Sequence, residues 1–210
     1  METEVFCVGA VCNTRQDWKD YFEPPQPRAG TKDPEKIVRQ IAEKWEKREQ
    51  EAATYPVSGQ ISKIVITNLD GTPEMVGSEL KDVLSILDAL FSFPRCVLVG
   101  LEIAAIVRIA ASQLAVSHAP KPPGVFAALA GAGNYRLVDP YRILVPSPLR
   151  NELTAAKLGA SMGIPPSDGT AAWQANAAGV LLAALGGVDF LKNPEMRDGL
   201  FGTGACDKDY

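Results

Sequence analysis

A short apolar run close to the N-terminus constrains the fold more than any other feature of the chain. Residues 5–11 (VFCVGAV) show little polar alternation, which is typical of a central strand buried on both faces. Further short strands are predicted in GQISKIVIT, PEMVG, CVLVG and near Leu137, and amphipathic helices alternate with them. The pattern therefore predicts an α/β fold in which helices flank a mixed sheet.

The helices are predicted from their capping residues and apolar spacing. Asp33 and Pro34 have the residue types of an N-cap and a first helical position, and they begin a charged helix that runs to about Ala53. Asp139 and Pro140 predict a turn. The remaining helices are predicted at 78–92, 102–115, 147–162 and 170–185.

Composition limits the classes of protein that this chain could belong to. Its 210 residues, 46% of them hydrophobic, are enough for one sizeable core, and we expect one domain over 1–193 with a surface tail at 194–210. No run of 18 apolar residues and no basic leader occurs. We therefore expect a cytoplasmic protein with no membrane segment.

Charge and cysteine spacing argue against a broad nucleic-acid-binding surface, a zinc site and a disulfide framework. A net charge of −4 supplies no broad cationic surface for non-specific binding to duplex nucleic acid. The four cysteines lack paired C-x-x-C spacing and are too sparse for a disulfide framework. We therefore expect neither a zinc site nor structural disulfides.

Three long segments carry a resemblance to a known family. The first is KDPEKIVRQIAEKWEKREQEAATYPVSGQISKIVI, the second is LVGLEIAAIVRIAASQLAV, and the third comprises ELTAAKLGASMGIP, DGTAAW and LGGVDFLKN. Together with the first strand they resemble the 3′–5′ exonucleases of the DEDD superfamily, in the phage and bacterial subgroup that has a charged helical insertion after the first strand. The resemblance spans about residues 3–193 and implies an RNase H-like fold.

The resemblance also implies where the catalytic carboxylates of such an enzyme would stand. That family binds two Mg²⁺ ions through several acidic side chains. Here Cys7 and Gly9 occupy the positions of the Asp and Glu on the first strand, and Val107 occupies that of the next Asp. Asp189 fits the last acid, although Leu185 stands where the family has a Tyr. One ligand of four remains, so the resemblance implies a fold without catalytic residues, metal or other cofactor.

Other acidic residues leave a relocated metal site open. Glu102 follows the predicted strand that ends at Gly100, and Asp139 follows the strand near Leu137, while ligands in α/β sheets gather at such strand ends. Both residues are explained equally well without a ligand, Glu102 by the helix dipole and Asp139 by turn chemistry. Asp189, Glu102 and Asp139 are therefore the weak candidates for Mg²⁺.

Two further groups of residues could carry chemistry. His118 could form a dyad with Cys7 or Cys96, but both cysteines lie in predicted buried strands and are more typical of inert core thiols. The aromatic residues Trp18, Tyr21 and Phe22 could stack on bases, but neighbouring acids favour packing or partner docking equally.

The expected function is that of a catalytically inactive, exonuclease-like protein of phage origin, located in the host cytoplasm or in the virion. We expect it to bind a protein partner or a second copy of itself. Single-stranded nucleic-acid binding and metal-dependent exonuclease activity with rearranged ligands remain the alternatives. The charge balance favours the protein partner, because backbone binding needs a cationic groove.

Overall fold

The computed structural model of the chain describes residues 4–92, 96–116 and 135–192. Five strands form one mixed sheet: β1 (Glu4–Thr14), β2 (Gly59–Thr67), β3 (Pro73–Gly77), β4 (Cys96–Val99) and β5 (Tyr135–Val138). Their spatial order is β3-β2-β1-β4-β5. The long apolar strand β1 therefore lies at the centre of the sheet, as its sequence predicts.

Strand β2 is the one strand of this sheet that runs opposite to the others, so the direction reverses on both of its sides. Strand β1 pairs antiparallel with β2, and β2 pairs antiparallel with β3. On its other side β1 runs parallel to β4, which runs parallel to β5. Cys7 pairs with Val99, and Val99 pairs with Val138. The carboxyl ends of β4 and β5 thus lie level with the middle of β1.

A bulge interrupts the pairing of β1 with β2. Val11 pairs with Lys63, whereas Cys12 pairs with Ile61, so Ser62 is an extra residue on β2. The Ser62 hydroxyl donates to the Val11 carbonyl oxygen over 3.1 Å. A bulge of this kind shifts the alternation of side chains by one residue. As a result Ile61 and Ile64, three positions apart, enter the same core cluster.

Seven helices and two 3-10 turns complete the described residues. The helices are α1 (Pro34–Ala52), α2 (Leu80–Ser92), α3 (Ile103–Val116), α4 (Pro140–Leu144), α5 (Ala155–Ser161), α6 (Ala171–Ala184) and α7 (Gly187–Lys192). The 3-10 turns are Trp18–Tyr21 and Ser147–Leu149.

The helices cover both faces of the sheet. Phe6 and Val8 of β1 join the core cluster that contains residues of α2 and α3, such as Leu87 and Val107. The intervening residue Cys7 belongs to a second cluster with Ala178 and Leu182 of α6. Since side chains alternate along a strand, α6 lies on the opposite face from α2 and α3. The chain is therefore an α/β protein with a mixed sheet flanked by helices.

The turn predicted at Asp139 and Pro140 is wrong, because these residues begin a helix. Asp139 is the N-cap of α4, its carboxylate accepts from the Arg142 backbone N–H over 3.1 Å, and Pro140 takes the first helical position. Proline has no backbone N–H with which to extend the hydrogen bonding of β5, but the first position of a helix needs none.

The single helix predicted at 147–162 is also wrong. Ser147–Leu149 forms one 3-10 turn, and α5 begins only after Thr154. The Thr154 hydroxyl accepts from the Lys157 backbone N–H over 3.3 Å. Because a threonine that caps one helix has extended backbone angles, it interrupts any helix that precedes it.

Several predictions lie outside the described residues. They concern His118, the tail 194–210 and the side chain of Cys96. Within the described ranges, none of the helices combines the length and the apolar character that a membrane crossing requires.

Candidate functional site

The carboxyl-terminal edge of β4 and β5 is the part of the fold where the candidate residues were predicted to gather. Parallel strands present their ends on one side of a sheet, and loops that follow them can converge there. The Gly100 backbone N–H donates to the Val138 carbonyl oxygen over 3.0 Å and holds the two strand ends together. Glu102 and Asp139 follow directly in sequence.

Glu102, Asp139 and Arg142 form one cluster at this edge. Asp139 accepts from the Glu102 backbone N–H over 2.8 Å. The Arg142 guanidinium lies 2.6 Å from a Glu102 carboxylate oxygen and 3.5 Å from an Asp139 oxygen. The structure thus brings together two of the three acids that were predicted as weak metal candidates. It also adds a cation that the sequence did not single out.

Arg142 explains why this pair of acids is compatible with the fold. Asp139 has only 10% of its side chain exposed, so its charge requires a partner. Burial raises the pKa of the Asp139 carboxyl, and the N–H groups of Arg142 and Glu102 oppose that shift. The guanidinium supplies the positive charge that a metal ion would bring to two carboxylates. The cluster is an ion-pair bridge between the ends of β4 and β5.

Glu102 adopts an unusual backbone conformation within the cluster. Its φ of 54° lies in the left-handed region, which a residue with a side chain seldom occupies. Its N–H is bound by Asp139, and its carboxylate is bound by Arg142. These two contacts from the next strand and helix hold the residue in a conformation that costs about 1–2 kcal/mol.

Cys7 is a core thiol on the face of β1 that α6 covers. It is fully buried, and burial raises the pKa of the thiol to about 11, with the nearby Thr67 hydroxyl lowering it in part. Thr67 is the cross-strand partner of Cys7. The thiol therefore stays protonated at neutral pH and is a poor nucleophile or metal ligand.

Gly9 lies directly beneath the backbone of α6. A Cβ placed on Gly9 would stand 1.9 Å from the Ala171 carbonyl oxygen and 2.7 Å from the Ala175 nitrogen. Both obstacles are helix backbone, which cannot rotate away as a side chain could. No side chain, and hence no carboxylate, fits at position 9 unless α6 moves.

The structure does not bring Val107 to the position of Cys7 and Gly9. Val107 is 5% exposed and belongs to the cluster on the α2 and α3 face, together with Phe6 and Val8. Cys7 belongs to the cluster on the α6 face. The two positions are therefore on opposite sides of the sheet.

Asp189 lies on α7 and is exposed to solvent. Its helix packs through Phe190 and Leu191 against the cluster that contains Cys7. Within the ranges 4–92, 96–116 and 135–192, no three His, Cys, Asp or Glu side chains are grouped so that they could hold a metal ion.

Gln174 is a residue of this region that sequence reasoning missed. Its side-chain oxygen accepts from the Ala10 backbone N–H over 3.2 Å. Strand β4 ends level with Cys7 and does not pair with Ala10. The amide side chain therefore satisfies a donor of β1 beyond the end of β4. Gln174 and Asn176 are the two amide side chains of an otherwise apolar, Ala-rich helix, and an amide in such a helix is the sequence signal that could have identified Gln174.

The aromatic residues of the first excursion pack against α1. Trp18 is 5% exposed, its ring centroid lies 5.4 Å from that of Trp45, and Phe22 lies edge-on to Trp18 at 5.9 Å. Phe22 also meets Tyr55 at 6.0 Å. Tyr21, which is 46% exposed, donates to Asp17. Two of the three residues considered for base stacking are thus engaged in a cluster of their own.

Comparisons with known proteins found no similarity. No protein-family model matches the chain, and neither the curated proteins nor the solved structures contain a match.

Proposed function

We propose that this chain is an RNase H-like relative of the DEDD 3′–5′ exonucleases, of phage origin, that has lost the two-metal site and serves as a protein-binding or assembly module. The strand order β3-β2-β1-β4-β5, with β2 alone antiparallel to both neighbours, supports the RNase H-like part of the proposal. The insertion of α1 after the first strand agrees with the subgroup that the sequence resembles.

The observation that carries the loss of the metal site is the contact between Gly9 and α6. A two-metal mechanism needs several carboxylates that face one cleft. The α6 backbone occupies the space in which the side chain at position 9 would stand, and Cys7 beside it is sealed under the same helix. The residues at these positions do not fit a pair of Mg²⁺ ions.

A rearranged exonuclease is the alternative that the Glu102 and Asp139 cluster favours. The two carboxylates are adjacent at a strand edge where α/β proteins bind ligands. Their oxygens, however, already accept from Arg142 and from backbone N–H groups, so metal binding there would require Arg142 to leave.

A nuclease assay separates the two proposals. The purified 210-residue protein is incubated with end-labelled single-stranded DNA and RNA, with Mg²⁺ or Mn²⁺ and with a chelator. We expect no metal-dependent shortening. Shortening that is abolished by Asp139→Asn or Asp189→Ala, in variants with unchanged circular dichroism, would instead establish the enzyme.

Two binding measurements test the rest of the proposal. Sedimentation of the purified protein over a range of concentrations reports self-association. Fluorescence anisotropy with a labelled single strand, at low and high salt, reports nucleic-acid binding. We expect no salt-sensitive strand binding. Binding through a phosphate-contacting groove would be recognised by a steep loss of affinity as salt rises.

A further inference from the structure

The segment Glu23-Pro-Pro-Gln-Pro-Arg28 has an extended conformation that its own prolines impose. Three of its residues precede a proline and are thereby restricted to extended backbone, while each proline fixes its own φ near −65°. The segment is assigned to neither helix nor strand. These restrictions together are those of a polyproline II helix, which has three residues per turn.

The prolines of the segment divide between an inner and an outer side. Pro25 is buried, whereas Pro24 is exposed and Pro27 is half-exposed. Residues three apart lie on one ridge of a polyproline II helix, so Pro24 and Pro27 share a ridge, and both line an open groove that α1 also borders. Arg28 is exposed next to them. The chain thus presents a Pro-x-x-Pro ridge to solvent.

Side chains of α1 hold the segment in place. The Lys44 ammonium donates to the Gln26 carbonyl oxygen over 2.5 Å, and the Arg48 guanidinium donates to the Glu23 carbonyl oxygen. At the end of the segment the Arg28 backbone N–H donates to the Gln40 side chain over 3.1 Å. The ridge is therefore ordered before any partner binds, which lowers the entropic cost of binding.

The surroundings of the segment leave it accessible and basic. An open groove of about 510 Å³ separates it in part from α1, and Lys44, Lys47 and Arg48 line this groove. Together with exposed Arg28, these cations outnumber the acids Glu23 and Glu51 in the same surface. A partner with acidic residues beside its binding groove would complement this charge.

We propose that residues 23–28 are a preformed docking ligand for a protein domain that recognises polyproline II helices through an aromatic-lined groove with an acidic rim. Such grooves accept the prolines of one ridge between aromatic rings and read an adjacent basic residue by charge. The inference rests on the proposed function as a protein-binding module, and it names the surface and the chemistry of the partner.

The test is a titration of the 210-residue protein with a panel of purified SH3, WW and EVH1 domains, measured by isothermal titration calorimetry. We expect at least one domain to bind more tightly than about 1 mM, and the double variant Pro24→Ala/Pro27→Ala to weaken that binding at least about tenfold. Pro25 is left unchanged because it is buried. The matched control is Pro166→Ala, which alters an exposed proline of a Pro-Pro pair outside the ridge and should leave the affinity unchanged.

Two results would overturn the inference: binding by no domain of the panel, or equal binding by the double variant and the unaltered protein. Thermal unfolding of each variant establishes that the fold is retained. Strand shortening in the nuclease assay would overturn the proposed function and leave this surface standing, whereas failure of the panel overturns this surface alone.

Discussion

At Gly9 the backbone of a helix takes the place of a side chain. The sequence alone shows a glycine where the exonucleases that it resembles have a glutamate, and this suggests only that a ligand is missing. The structure adds the reason why no other residue stands there, since Ala171 and Ala175 of α6 contact the strand directly. A small residue on β1 is what lets the helix approach the sheet.

Gly9→Ala should destabilise the protein strongly, because the new methyl group would overlap the Ala171 carbonyl. We expect a loss of at least about 3 kcal/mol in the free energy of unfolding, measured by urea denaturation. Gly179→Ala is the matched control in the same interface, where a Cβ would lie 3.4 Å from the Cys7 sulfur. It should be neutral or stabilising by up to about 1 kcal/mol. Equal effects of the two substitutions would contradict the packing described.

Asp139 should make stability depend on pH in a defined direction. Burial raises the pKa of its carboxyl above 3.8, its ordinary value, so the folded protein binds this proton more tightly than the unfolded chain. Its contribution is fully present below pH 3.8 and is lost as the pH rises through the folded pKa. Asp139→Asn removes the titration and keeps a capping oxygen for α4.

We therefore expect the difference in unfolding free energy, unaltered protein minus Asp139→Asn, to decrease as the pH rises above 3.8. Urea denaturation at a series of pH values measures this difference. A difference that increases with pH over this range would mean that the attraction of Arg142 outweighs burial.

Among the helices and strands, the elements that local sequence signals specify were predicted correctly, whereas those that depend on tertiary contacts were not. The buried strand β1 and the Asp33-Pro34 start of α1 were predicted correctly, since apolar runs and caps act within a few residues. The break at Thr154 was missed because a threonine is compatible with a helix interior or a cap. At the candidate site, Glu102 and Asp139 were identified from their strand ends, whereas Arg142 enters only through the α4 helix that the sequence did not predict.

The N-cap of α6 offers a test at this scale. The Thr170 hydroxyl accepts from the Trp173 backbone N–H over 3.1 Å at the end of the helix that covers Gly9. Thr170→Ala should lower the free energy of unfolding by about 1 kcal/mol, and Thr170→Ser should restore most of it. Thermal unfolding followed by circular dichroism measures both. Equal destabilisation by the two variants would show that the threonine methyl group, and not the cap, is the source.

In the whole molecule, α1 is more loosely held than the helices on the sheet. Ala52 is the one buried residue of its 19. Its buried attachment comes from Trp45 against Trp18 and from Ser58, whose hydroxyl donates to the Ala52 carbonyl oxygen over 2.8 Å. Its other contacts include the exposed hydrogen bonds of Gln40, Lys44 and Arg48 with residues 23–28. By contrast, six residues of α6 are buried. The chain thus combines a tightly packed sheet with a helix that is anchored mainly by one aromatic cluster.

This difference predicts two rates of local opening. We expect the amides of α1 to exchange with deuterium faster than those of α6 or β1, as measured by mass spectrometry of peptic fragments. Trp18→Leu should accelerate exchange in α1 and leave α6 unchanged, because the substitution removes the ring that Trp45 packs against. Equal protection of α1 and α6 in the unaltered protein would contradict a separate opening of α1.

The bulge at Ser62 and the contacts beside it fix the register of β2 and the layer into which each of its side chains points. The Gln113 side chain of α3 accepts from the Ile61 N–H over 3.0 Å and donates to the Ile61 carbonyl oxygen. These two hydrogen bonds fix the strand at the residue that precedes the bulge. Deleting one residue at the bulge would turn the Ile61 side chain to the opposite face of the sheet and break the hydrogen bonds of its backbone with Gln113. Because side chains alternate with a period of two residues, this strand should tolerate insertions or deletions only of two residues at a time.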